Sequence, residues 1–282
     1  MRTSSKKIML LLMLFASSHA LNYSMTQSNN NSNIMKYNLN KKCLVFINEI
    51  ENLYKTKIIV KEKELKESEH GWSIMENDVP VIEINIKEKD KEVILIHEAY
   101  HLKLRQEGFP GISFEFPNNS KSNNNSFYLE WFCHLFWDKI AHYYFYPLML
   151  NELKINPYNS ITTELKEVYK NGRIEGLNDA TREIGLSGYY LQVWVETQNE
   201  NSLKMFKSFL IDKYNGQGIE QGEELISLFK KKKINNSGEA LELFIECFNL
   251  IHKNQNIKIS TPIIEKEIHE NYVQYIAKFK LF

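Results

Sequence analysis

Two hydrophobic periods divide the chain. Leu44, Val45, Ile47, Ile50 and Leu53 form an apolar stripe at helical spacing, which predicts a helix over Asn38 to Tyr54. Lys57 to Val60 is a short β-rich run, and Glu62 to Glu69 is a charge run that reads as a solvated turn. Trp72 to Met75 and Val79 to Ile86 are two further strand candidates, separated by the turn signal Glu76-Asn77-Asp78. Lys87 to Glu107 returns to helical period and stops at Gly108-Phe109-Pro110-Gly111. Ile112 to Ser126, with its polar tail from Pro117, reads as a loop, long for a compact domain. Phe127 to Leu150 is dense with aromatic and aliphatic residues and predicts a second long helix. After a break at Asn156-Pro157, helices are expected over Ile161 to Lys170, Gly188 to Thr197, Asn201 to Tyr214, Glu220 to Lys230, Gly238 to His252 and Pro262 to Phe279. The fold class expected is α+β, mostly α. A small N-terminal sheet packs on the helix 87–107, with a C-terminal helical half beyond.

The N-terminus changes the picture of where the protein works. Arg2, Lys6 and Lys7 precede a short apolar core from Ile8 to Ala16, and Ser18-His19-Ala20 offers small residues for cleavage. Residues 1–20 therefore read as a secretory signal peptide, with an apolar core well short of the roughly 20 residues that span a bilayer. Residues 21–37 are Ser/Asn-rich at their centre and read as a flexible leader. The expected product is secreted or periplasmic, with no membrane attachment after cleavage. It divides into a metal-site domain over 38–155 and a helical subdomain over 156–282. Formal net charge is zero, which gives no basic footprint for nucleic acid. Cys43, Cys133 and Cys247 are odd in number and lack a CxxC spacing, so they read as small buried apolar residues.

Chemistry enters at His97-Glu98-Ala99-Tyr100-His101. Residues four apart on a helix lie one above the other, so both imidazoles can reach one metal at the ~2.0–2.1 Å of a Zn–N bond. Glu98 points to the side, where it can act on a water at the metal rather than ligate it. One turn thus supplies two ligands and a general base.

This segment resembles the active-site helix of the zincin metallopeptidases. The resemblance implies a zincin-like small sheet on the HExxH helix, a Zn2+ cofactor, His97 and His101 as ligands and Glu98 as catalytic base. It also implies that a strand beside the helix, here Val79 to Ile86, binds substrate backbone by strand addition. Lys103 stands where zincins usually keep an apolar residue. The metzincin branch is excluded, because its later Gly and His positions are Leu104 and Glu107.

A catalytic zinc needs a third protein ligand. Glu130, His134, Asp138 and His142 run at steps of four through the second long helix. The line is ~18 Å long at 1.5 Å per residue, so they cannot all touch one ion. It reads either as facing the motif helix or as the wet side of an amphipathic helix. Glu130 sits where gluzincins carry their third-ligand Glu. Gly108-Phe109-Pro110, Asp138, His142 and Tyr146-Pro147 are similar instead to a group of bacterial HExxH proteins without an established activity. That similarity favours His142 as third ligand, with Asp138 as its partner or rival and Glu130 next. Tyr189, Tyr190 and His252 are candidates for stabilising a developing oxyanion.

The function expected is that of a zinc-dependent metallohydrolase, an exported metallopeptidase acting on a peptide or protein substrate. The alternatives are a non-catalytic zincin-fold binding protein and an amidase for a non-peptide amide. The sequence carries no signal for oligomeric state.

Overall fold

Helix α1, Lys41–Tyr54, starts where the Asn40 side chain accepts from the Cys43 amide at 3.0 Å. It ends at Lys55, whose φ of 53° turns the chain out of the helix. The structure is a computed structural model, and it describes residues 33–66, 69–115, 123–159, 181–253 and 258–281. The signal peptide read at 1–20 lies outside the described residues, as does the expected helix from Ile161 to Lys170. The last residues of the expected leader are packed, since Ile34 and Tyr37 are buried.

The first sheet holds β1 (Ile59–Lys63), β2 (Gly71–Glu76) and β3 (Val79–Asn85) in the order β1-β3-β2. β1 runs parallel to β3, and β2 runs antiparallel to it. Asn77 and Asp78, at φ of 49° and 61°, make the two-residue hairpin turn whose twist suits the flanking strands. Pro80 is tolerated in a central strand because β1 pairing begins only at Val81.

Helix α2, Lys91–Gln106, lies across this sheet and buries Ile94, Leu95, Ile96, Ala99, Leu102 and Leu104. The approach to β2 is close. A Cβ on Gly71 would meet Ile94 Cγ2 at 2.6 Å and the Glu83 carbonyl oxygen at 2.9 Å.

Two expectations are corrected beyond α2. The segment read as a loop contains β4 (Gly111–Glu115) and the first turn of α3 (Asn123–Leu148). The segment read as a helix from Pro262 to Phe279 is a hairpin of β5 (Ile263–Ile268) and β6 (Val273–Lys280). These strands form a second sheet in the order β4-β6-β5, with β6 parallel to β4. Ile112, Phe114, Ala277 and Phe279 share its inner face, with Ala277 and Phe279 fully buried. The apolar positions of 263–279 fit either period, and pairing with a distant β4 decided between them.

The remaining helices are α4 (Arg182–Thr197), α5 (Glu200–Tyr214), α6 (Ile219–Lys231) and α7 (Ser237–Ile251). Asn199 and Asn236 cap α5 and α7 by accepting from backbone amides. Helix α4 seats closely on α3, because a Cβ on Gly188 would come within 2.3 Å of Leu135 Cδ2. The fold is mostly helical α+β. The two stretches read as separate subdomains pack together within one compact unit, Ile34–Phe282. No described helix is long and apolar enough to cross a membrane.

Candidate metal centre

His97 and His101 stand one turn apart on α2 with their Nε2 atoms 3.2 Å from each other. Two ligand nitrogens at ~2.0–2.1 Å from one tetrahedral ion are separated by roughly 3.3 Å. His142, from α3, completes the group, and one nitrogen of each ring lies within 4.8 Å of the others. Burial holds His97 and His101 well below the ordinary histidine pKa, and the charge of His142 adds to this in both. His142 is lowered too, chiefly by burial, although its hydrogen bond to Glu196 opposes the shift. Three neutral imidazoles with converging lone pairs are the form in which histidine ligates a cation.

Aromatic packing sets the rings. Phe145, one turn after His142 on α3, meets all three imidazoles edge-on at 5.3, 5.2 and 5.4 Å. Tyr100 stacks on the other side of Phe145 at 5.1 Å, and Tyr146 stacks on His142 at 4.7 Å. Aromatic rings thus pack against each of the three imidazoles.

Glu98 turns off the ligand line. Its Oε1 lies 3.9 Å from His97 Nε2. Burial pushes its carboxyl up to about 7, against the polar groups of Ser73 and the nearby positive charge of Arg105. The register of the sheet explains why Ser73 is available. Asn85 N–H donates to His70 O at 2.9 Å, which places Ser73 opposite Ile82 in a pair without ladder bonds. The Ser73 amide and carbonyl thus point off the edge of the sheet. The carbonyl accepts from Arg105 Nη2 at 2.6 Å.

This arrangement corrects the strand-addition expectation. Val79 to Ile86 is the central strand, flanked on both sides, and cannot accept another strand. The edge beside α2 is β2, and the motif helix itself occupies its outward groups at Ser73.

Comparison with protein-family models, curated proteins and solved structures finds no match.

The other candidates fall in different places. Asp138 is half-buried and lies outside the three-histidine group, although its charge is felt at both Glu98 and His142. Glu130 lies on α3, and its side chain is not among those described. His252 donates from Nδ1 to Phe248 O at 2.8 Å and stacks on Phe248, a packing role. Tyr190 is buried against Gly222, and Tyr189 is half-buried beside it.

Three participants escaped the sequence reading: Ser73, Lys139 and Glu196. Glu196 Oε1 accepts from His142 Nδ1 at 2.9 Å, the place expected of Asp138. Lys139 pairs with the same carboxylate, which is only 2% exposed. The one signal available was Glu196 standing among Val193, Trp194, Val195 and Thr197, on a helix stretch with little polar face.

Proposed function

We propose that the chain is a zinc-dependent hydrolase of amide bonds, an exported metallopeptidase with Glu98 as its general base. One observation carries the reading. A buried carboxylate lies 3.9 Å from His97 Nε2, beside three imidazoles whose ligand atoms lie within 4.8 Å of one another. An all-nitrogen set of three suits Zn2+ and leaves a fourth position open, which is the arrangement of catalytic rather than structural sites.

The ion, when bound, supplies Lewis acidity toward a carbonyl oxygen and toward water. His97, His101 and His142 hold it through their unprotonated nitrogens. Glu98 accepts a proton at its free carboxylate oxygen and returns it to the leaving amine. A carboxyl raised to about 7 stands where acceptance and release are balanced near neutral pH. Ser73, beside Glu98, favours its charged form. Phe145 and Tyr146 pack against His142 and hold its ring. The substrate is a peptide or protein, and the zero net charge of the chain offers nucleic acid no counter-surface. Export rests on the N-terminal segment from Arg2 to Ala20.

The test pairs metal analysis with a peptide library. Metal-loaded protein is expected to cleave peptides, and the Glu98→Gln variant to hold the same metal while cleaving none. Unchanged turnover in that variant overturns the proposal. Cleavage confined to non-peptide amides would reassign the substrate class.

A further inference from the structure

We infer that Glu196 is the positioning residue of the metal centre, and that Lys139 keeps its carboxylate off the metal. The inference rests on the reading of His97, His101 and His142 as ligands.

His97 and His101 are fixed relative to each other by one helical turn. His142 comes from another helix and needs its own restraint. A carboxylate only accepts, so the 2.9 Å contact with Glu196 Oε1 makes His142 Nδ1 the donor. That fixes the proton on Nδ1 and leaves the lone pair on Nε2, the nitrogen of His142 that remains able to bind an ion. The negative charge behind the ring also makes Nε2 the stronger donor to a cation. Helix α4 supplies this carboxylate from a part of the chain that looked chemically quiet.

A lysine beside a cation site calls for a reason. Lys139 is 8% exposed and stands one turn before His142 on α3. Its ammonium pairs with Glu196 Oε1, and Gln192 Nε2 donates to Oε2 at 2.8 Å. Both oxygens of Glu196 are therefore engaged by donors from α3 and α4. A buried carboxylate without a counter-charge would be drawn to the strongest cation in reach, which is the metal. It would then fill the position that a catalytic ion keeps open. Lys139 supplies the counter-charge and holds Glu196 one ring away.

The experiment uses the full chain, stripped of metal and titrated with Zn2+ and with Co2+, whose visible bands report coordination number. Glu196→Ala is expected to weaken Zn2+ binding ~10–100-fold. Glu196→Gln keeps an acceptor for the Nδ1 proton, and Gln192 can turn its amide to match. It is expected to recover most of that affinity. Lys139→Met is expected to bind metal at least as tightly as the native chain, but with shifted Co2+ bands and a reduced kcat, as Glu196 takes the fourth position in place of water. Native affinity and native Co2+ bands in Glu196→Ala overturn the positioning role. A Gln variant weakened ~10–100-fold against the native chain overturns it equally, and this outcome can be read even where Glu196→Ala does not fold. Unchanged Co2+ bands in Lys139→Met overturn the role given to the lysine. His97→Ala separates these failures from failure of the metal reading itself: it must abolish binding whatever Glu196 does.

Discussion

The Nε2 atoms of His97 and His101 face each other at 3.2 Å. With both rings neutral, bare lone pairs at that distance repel unless one carries a proton or a cation lies between them. The proposed ligand assignment can be tested at these positions. His97→Ala, His101→Ala and His142→Ala are each expected to lower Zn2+ affinity by about 100-fold or more, since each removes one of three ligands. Asp138→Ala is expected to stay within a few-fold of native. Metal content after dialysis against a chelator measures all four. A large loss in Asp138→Ala alongside retention in His142→Ala would exchange their roles.

Glu98→Gln keeps the size of the side chain and an acceptor for Ser73 while removing the basic oxygen. The expected fall in kcat is ~10²–10⁴-fold, the usual worth of a general base, with KM and metal stoichiometry little changed. Ser73→Ala removes a hydroxyl that favours the charged form of Glu98. It is expected to lower kcat by about tenfold, because the backbone of Ser73 and the charge of Arg105 remain.

Acid should destabilise the metal-free protein. In the unfolded chain the three histidines take up protons below about pH 6.5, whereas in the fold they stay neutral. Their stabilising contribution is present above pH 6.5 and is lost as pH falls. Glu98 acts in the opposite sense. Raised to about 7, it is protonated in the fold and ionised in the unfolded chain, so its contribution exists at low pH and fades as pH rises toward 7. Three groups outweigh one, and unfolding takes up about two protons net. Stability should then fall by at most about 3 kcal/mol per pH unit below pH 6.5. Thermal melts of the chelated protein between pH 7.5 and 5 measure it, and a flat profile would mean that the rings are not buried neutral.

The motif was legible because its chemistry is local. His97, Glu98 and His101 sit in one helical turn, and spacing alone sets their directions. His142 was legible only through the polar line on α3 and a family likeness. Glu196 was not, because a glutamate on a helix ordinarily marks a wet face, and its apolar neighbours do not point to a partner 54 residues away. The sheets divide in the same way. The β2–β3 hairpin announces itself through Asn77-Asp78, whereas the hairpin from Ile263 to Lys280 depends on parallel pairing with Gly111–Glu115. Ile263, Ile264, Ile268, Val273, Ile276 and Phe279 satisfy a helical period nearly as well as an alternating one, so the pattern could not choose.

Gly71 tests the seating of the sheet on the motif helix. A methyl group there meets a backbone oxygen at 2.9 Å and Ile94 Cγ2 at 2.6 Å, so β2 must move away from α2. Gly71→Ala is expected to cost about 1–3 kcal/mol of stability, the usual range for overpacking. Because Ser73 travels with β2, kcat should fall further than in Ser73→Ala while Zn2+ affinity holds. Urea unfolding and metal titration of one preparation check both effects, and loss of metal with full stability would contradict this.

The centre draws on three widely spaced points of the polypeptide: the turn at 97–101, residue 142 and residue 196. A ribosome delivers them in that order. A growing chain that has emerged only as far as α3 carries all three histidines but not the carboxylate behind His142. On the proposed reading, the last ring is therefore aimed only once synthesis is well past the motif.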